Sequence, residues 1–359
     1  MAKTVVLLGT RKGVFLLEST ETRRDWQVRG PFCESWPTYH VVHAPESGTI
    51  YAAAASEWHG ASIWRSTDLG ATWQQSSEGL TYGDGPLTLS KVSGLTAANG
   101  RIFAGAENPG VFESRDGGAT WSLLSTIDGH PARPSWNDPE NQPPGHLGVP
   151  AVLQHPEDPK RWFAIVQGVG IFETTDDGVS FTPRNQGLRA DWPREHDDVG
   201  LCVHKLVMSR QDSDRLYQQS HVGTYRSDDG AQTWTEITEG LPTEFGFACV
   251  AHPHDRDTFF TTVVDPGHGR TMVDGKAAVW RTRDAGASWD RLSTGLPQQN
   301  AYLGVLREGM AADTHDEVGL YVGTSTGQVF ASIDEGDTWT EIASYLPSIT
   351  SVEVAVVDA

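Results

Sequence analysis

Cysteine is scarce in this 359-residue chain: Cys33, Cys202 and Cys249 are an odd set of three with no metal-ligand spacing. They point to buried free thiols in a reducing, cytoplasmic compartment. Basic residues are also few, 27 against 47 acidic ones, for a formal charge of −20. On average such a surface repels the phosphate backbone of nucleic acids and anionic membranes, so neither is expected as a partner. Long apolar runs are missing as well. Nothing approaches a membrane span, and TVVLLG in the opening MAKTVVLLGTRKG is too short for the h-region of a signal peptide and reads as a strand. No stretch carries the helical period.

Glycine (38) and tryptophan (13) are plentiful instead, and the apolar residues fall in short runs bounded by Gly, Pro and Asp, the pattern of many short strands. One motif organises these runs. SIDEGDTW (Ser332 to Trp339) has close copies in STDLGATW (Ser66 to Trp73), SRDGGATW (Ser114 to Trp121), TTDDGVSF (Thr174 to Phe181), SDDGAQTW (Ser227 to Trp234) and TRDAGASW (Thr282 to Trp289). A degenerate copy, STETRRDW, ends at Trp26. The hydroxyl and the carboxylate can satisfy nearby backbone N–H groups and the Gly supplies a positive φ, so each copy reads as a hairpin turn whose aromatic covers the turn from below. Asp68, Asp116, Asp176, Asp229, Asp284 and Asp334 are thus expected to staple turns. The fourth true copy, Ser227 to Trp234, has Ala231 where the others have Gly.

From Trp26 onward the closing aromatics are spaced 47, 48, 60, 53, 55 and 50 residues apart, a propeller-blade period. The 26 residues up to Trp26 and the 20 after Trp339 make one more period, shared between the chain ends. The expected fold is therefore all-β, a seven-bladed β-propeller forming one domain over residues 1–359. The C-terminal run SVEVAVVD (Ser351 to Asp358) would complete the N-terminal blade and leave no open edge. With strands A to D named from the channel outward, the repeated turn joins C to D. Antiparallel strands alternate their turns between two faces, so the B–C turns and D–A connections open on the face away from it. The insertions at 128–148 and 265–276, and the charged loop at 189–200, belong to that opposite face, where function is expected.

These S-x-D-x-G-x-T-W turns resemble the Asp-box, or BNR, repeats of sialidases and related propellers, a resemblance that spans nearly the whole chain. GTRKGVFLL (Gly9 to Leu17), CVHKL (Cys202 to Leu206), RLYQQSH (Arg215 to His221) and GTSTGQVFASIDEGDTW (Gly323 to Trp339) further resemble a bacterial group known as sialidase-like or glycosyl hydrolase. The resemblance implies a glycoside hydrolase-like enzyme with a carbohydrate or other small polar ligand. The sialidases' own set is absent: they have six blades, an Arg-Ile-Pro motif that does not occur here, and a Tyr–Glu pair with no counterpart in this sequence. Xyloglucanase-type enzymes place two seven-bladed Asp-box domains around one cleft, whereas this chain has one.

Candidate residues follow from the face. Near the channel, the starts of the A strands offer His40, His146 and His204, with Lys91 and Lys205. Three imidazoles aimed at one axis could hold a metal, and their plain structural use is to plug the channel mouth through hydrogen bonds. At the ends of B strands stand Glu57 and Glu107, followed by Trp58 and Asn108. Carboxylates on neighbouring blades can reach the roughly 5–10 Å separation that glycosidic acid and base need; as a structural feature they are a solvated rim pair. Arg11 and Lys12, His221 and Asp265 complete the rim, and Trp36, Trp58, Trp136 and Trp192 lie in loops of the same face. The leading expectation is hydrolysis or elimination on a carbohydrate or related ligand, with Glu57 and Glu107 as acid and base. Its alternatives are a non-catalytic scaffold docking a protein partner and a metal-dependent enzyme built on His40, His146 and His204. The sequence does not identify a cofactor.

Overall fold

A computed structural model describes residues 2–85, 87–127, 130, 131, 133, 147–190, 200–267 and 269–358. His146, Trp136 and Trp192, with most of the 128–148 insertion and of the 189–200 loop, lie outside the described residues. The described chain forms seven four-stranded antiparallel sheets with almost no helix, a seven-bladed β-propeller. Among the described residues no helix is long and apolar enough to cross a membrane.

The chain divides into two compact units, residues 1–41 with 204–359, and residues 42–203. In the first unit, blade one has the order Ile349–Asp358, Ala2–Thr10, Gly13–Thr20, Gln27–Phe32, so the C-terminal strand is its inner edge, as expected. It is paired from Ala2 opposite Asp358 to Thr10 opposite Ile349. The inner strands of blades five, six and seven are Val203–Met208, Gly246–Ala251 and Met310–Ala312. The start of blade two's inner strand, Thr38–Ala44, also falls in this unit. Alternate residues of these strands face the neighbouring sheet: Val6, Leu8, Leu17, Tyr321, Ile349 and Val352 form one buried cluster, and Phe260, Val279, Leu292, Val322 and Trp339 another. The second unit holds blades three and four and the rest of blade two.

The six repeated turns share one wiring. In the first, Ser66 Oγ donates to Asp68 Oδ1 at 2.8 Å and accepts from the Gly70 amide at 2.8 Å, while Thr72 donates its amide and hydroxyl to the same carboxylate at 2.8 and 2.6 Å. The same bonds recur around Asp116, Asp176, Asp229, Asp284 and Asp334. Hydrogen bonds from Thr72 and Ser66 hold the Asp68 carboxyl down to about 2. These carboxylates are consumed inside the turns, as the sequence predicts.

Three of the aromatics also bond back to the preceding blade. Trp121 donates its amide to Glu78 O at 2.8 Å and its indole N–H to Ser76 Oγ at 3.1 Å. Trp289 donates its indole N–H to Ile237 O at 3.0 Å, and Trp339 its backbone amide to Thr294 O at 2.9 Å. The close approach explains Gly295, since a Cβ there would stand 2.0 Å from Trp339 O. Blade seven also departs from the expected inner strand at 301–312, because only Met310–Ala312 joins the sheet. Ala301, Leu303 and Val305 still alternate into the core, but their backbone serves the 265–276 insertion, with Ala301 N bonded to Gly275 O at 2.9 Å and Met272 N to Leu303 O at 3.1 Å.

Candidate functional site

In the first unit, polar side chains from the inner strands of blades that are not neighbours in the chain meet around Glu308. This residue precedes the inner strand of blade seven and is buried. Lys205, from blade five, forms an ion pair with its carboxylate. His40, from blade two, places Nε2 at 3.6 Å from the same oxygen. Burial works to raise the Glu308 carboxyl, but the charges of Lys205 and Arg307 outweigh it and hold it below the ordinary value. Burial pulls His40 down to about 4 against the opposing pull of Glu308, so the imidazole is neutral at pH 7 and its contact with Glu308 is not an ion pair.

Glu353 is the counterpart. It lies on the C-terminal strand, where Val352 donates its amide to Glu308 O at 2.6 Å and Ser351 bridges to Glu308 in parallel. Val352 turns into the core, so Glu353, next along the strand, turns the other way and stays part-exposed. Burial pushes its carboxyl up to about 7, the Glu308 charge adding to the rise and Lys205 and Arg210 opposing it. One carboxyl is thus held ionised while burial raises the other to about 7. Environments that push paired carboxyls apart in this way are how acid and base roles are divided.

An aromatic and cationic cluster adjoins this pair through Lys205's neighbour His204 and Glu308's neighbour Arg307. His204 is buried, donates Nδ1–H to Gly246 O at 2.6 Å, stacks on Phe247 at 4.3 Å and meets the His221 ring edge-on at 4.7 Å. Burial, then Arg307, keep it well below the ordinary histidine value, so its Nε2 carries a lone pair. Arg270 lies over Phe245 and Phe247, 5.6 and 5.3 Å from the ring centres.

The other predicted residues are spread more widely. Arg11 is exposed over the Tyr39 ring at 5.7 Å, beside His40 in sequence. Asp265 accepts the Gly267 amide at 2.8 Å and caps its own loop. In the second unit, Lys91 and Glu107 are paired with each other, and Ser90 Oγ donates to Glu107 at 2.9 Å. Glu57 sits exposed on a turn beside Trp58, which is 89% exposed. Glu57 and Glu107 therefore have unlike surroundings, one free in solvent and one neutralised. For a metal, His204 and His221 have ligand atoms within 4.8 Å of one another, whereas His40 is turned to Glu308.

Glu308 and Glu353 were not among the residues singled out by sequence. The signal for Glu353 was present, a single carboxylate breaking the apolar inner strand SVEVAVVD. Glu308 had none, because the run AYLGVLREGMAA reads as a regular strand and gives no reason to separate Glu308 from a rim charge.

Comparison with known proteins agrees with the architecture. Residues 190–358, less than half of the chain, match the DUF6242 beta propeller domain. A xyloglucanase from Paenibacillus sp is 26% identical over 260 residues, 66% of this chain and 24% of that protein, so the chain spans about a quarter of this curated relative. Among solved structures, the GH74 enzyme of Niastella koreensis is similar with a TM-score of 0.57 at 15% identity, covering 97% of this chain and 65% of that one. The periplasmic gluconolactonase of Pseudomonas aeruginosa is similar with a TM-score of 0.63 at 12% identity, covering 98% and 99%. At these identities the structural likenesses establish the propeller fold.

Proposed function

We propose that this chain is a carbohydrate-acting enzyme that cleaves a sugar or sugar-derived bond with Glu353 as general acid and Glu308 as its ionised partner. The observation that carries the reading is the split pair: Glu353 at about 7, next to Glu308 held below the ordinary carboxylate value. Glu353 donates its proton to the leaving oxygen, the Glu308 carboxylate stabilises the positive charge that develops at the sugar carbon, and water adds to that carbon and returns a proton to Glu353. The Lys205 ion pair keeps Glu308 in place and ionised. Placement on two adjacent backbone segments gives both carboxyls a rigid mounting. The names of the xyloglucanase and gluconolactonase relatives support a carbohydrate or sugar-derived substrate for this chain too. The three buried free thiols support a reducing, cytoplasmic setting.

The test is a screen of aryl glycosides and sugar lactones with the wild-type chain, Glu353→Gln, Glu308→Gln and Glu57→Gln. The reading expects turnover in the wild type and Glu57→Gln proteins, and a loss of about 10²–10⁴ in kcat with Glu353→Gln. Full activity of Glu353→Gln on a substrate the wild type turns over would refute it.

A further inference from the structure

A second recess lies on the outer part of blade six, away from the inner strands that carry the carboxyl pair. Its floor is Trp280 and Ala278, at the third strand (Val279–Thr282), and Val263 at the end of the second. Asp274, Lys276 and Arg291 stand around it, and the volume is about 280 Å³. The recess is preformed. The loop that walls it is pinned by backbone bonds from Gly275 N to Met272 O at 3.0 Å, Lys276 N to Val273 O at 3.1 Å and Ala277 N to Pro297 O at 2.9 Å. Arg291 is fixed by Ser293 Oγ at 2.7 Å and Gln298 Oε1 at 2.8 Å.

Its chemistry is specific in two respects. Trp280 is part-exposed, and the Tyr302 ring, 68% exposed, lies beside the same loop, 3.7 Å from where a Cβ on Gly275 would stand. Asp274 and Lys276 are exposed and, among the described residues, make no side-chain hydrogen bond or ion pair, so an acceptor and a donor are on offer at the rim of an aromatic floor. An apolar ring face with unspent polar groups around it matches the two faces of a pyranose, whose C–H side stacks and whose hydroxyls bond sideways. The volume is near the lower end of small-molecule pockets, roughly 300 Å³, enough for one or two rings and too small to seat a protein segment.

We propose that this recess is a second, non-catalytic sugar-binding site that holds a pyranose unit on Trp280, with Asp274 and Lys276 bonding its hydroxyls. It does not depend on the assignment of the carboxyl pair. Cellotetraose is titrated calorimetrically into the full chain carrying Glu353→Gln, with the titrated sugar checked afterwards for cleavage, and into the same chain with Trp280→Ala or Lys276→Ala added. Saturable binding is expected in the first, weakened about tenfold by Trp280→Ala and about threefold by Lys276→Ala, with unfolding temperatures unchanged. The lysine variant preserves the test if Trp280→Ala fails to fold. No saturable binding, or binding that neither substitution weakens, overturns the proposal. Failure of the carboxyl assignment would show elsewhere, as undiminished kcat in Glu353→Gln.

Discussion

Glu308 and Glu353 are tied through the backbone: the carbonyl of Glu308 accepts the amide of Val352 at 2.6 Å, which sets Glu353 beside a carboxylate already claimed by Lys205. Burial, with the Glu308 charge adding to it, raises Glu353 while Lys205 holds Glu308 down, so the two carboxyls carry different charges at one pH. The first prediction follows from it. Activity that needs protonated Glu353 is expected to fall as pH rises through about 7. The acid limb is expected below the ordinary carboxylate value of 4.5, because Glu308 is held down. A kcat/KM profile between pH 4 and 9 checks both limbs, and one that rises above pH 7 contradicts the assignment.

Lys205→Met should be more damaging than removal of the whole pair. The single change leaves the Glu308 carboxylate buried without its cation and is expected to cost about 3 kcal/mol. Lys205→Met with Glu308→Leu replaces both partners by apolar side chains and should recover most of that loss. Urea unfolding of the two single variants and the double variant gives the coupling directly. A double variant less stable than Lys205→Met would contradict a net cost for the unpaired charge.

The turns supply a test of backbone strain. Their fourth and fifth residues are both left-handed, and at the fifth position Ala231 adopts φ +67° where the other copies have Gly. Ala231→Gly is expected to raise stability by about 0.5–1 kcal/mol, the relief of a left-handed Ala less the added freedom of the unfolded chain. Gly336→Ala should do the reverse and cost more than about 2 kcal/mol, because its Cβ would stand 2.4 Å from Leu292 Cδ1. Thermal unfolding of both variants measures the contrast.

The fold was legible because it is written in repeats. One hydroxyl, one Asp and one Gly per turn recur at the blade period, and local hydrogen bonds execute each turn without help from distant residues. The role of the aromatics was less visible, since Trp121 finds its partners, Glu78 and Ser76, on the preceding sheet. The site was legible only in part. His40, His204 and Lys205 could be placed at the starts of inner strands by counting. Glu308 and Glu353 owe their chemistry to burial and to one another, 45 positions apart, and periodicity carries no trace of that.

The same Glu353 shift makes a prediction about folding that needs no substrate. Its folded-state value is raised from the ordinary 4.5 to about 7, so between those limits the folded chain holds a proton that the unfolded chain has released. By linkage the contribution is fully present below pH 4.5 and is lost as pH rises through about 7. The repeated turns act in the opposite sense and in another window: Asp68, lowered from 3.8 to about 2, withdraws its contribution only as pH falls below 3.8. The two windows do not overlap, so they can be read apart. Glu353→Gln removes the titrating group and should flatten the decline of stability between pH 5 and 8 while leaving the acid limb unchanged. Urea midpoints of the wild type and this variant at pH 5, 6, 7 and 8 check it, and parallel curves would show that Glu353 does not titrate as its surroundings require.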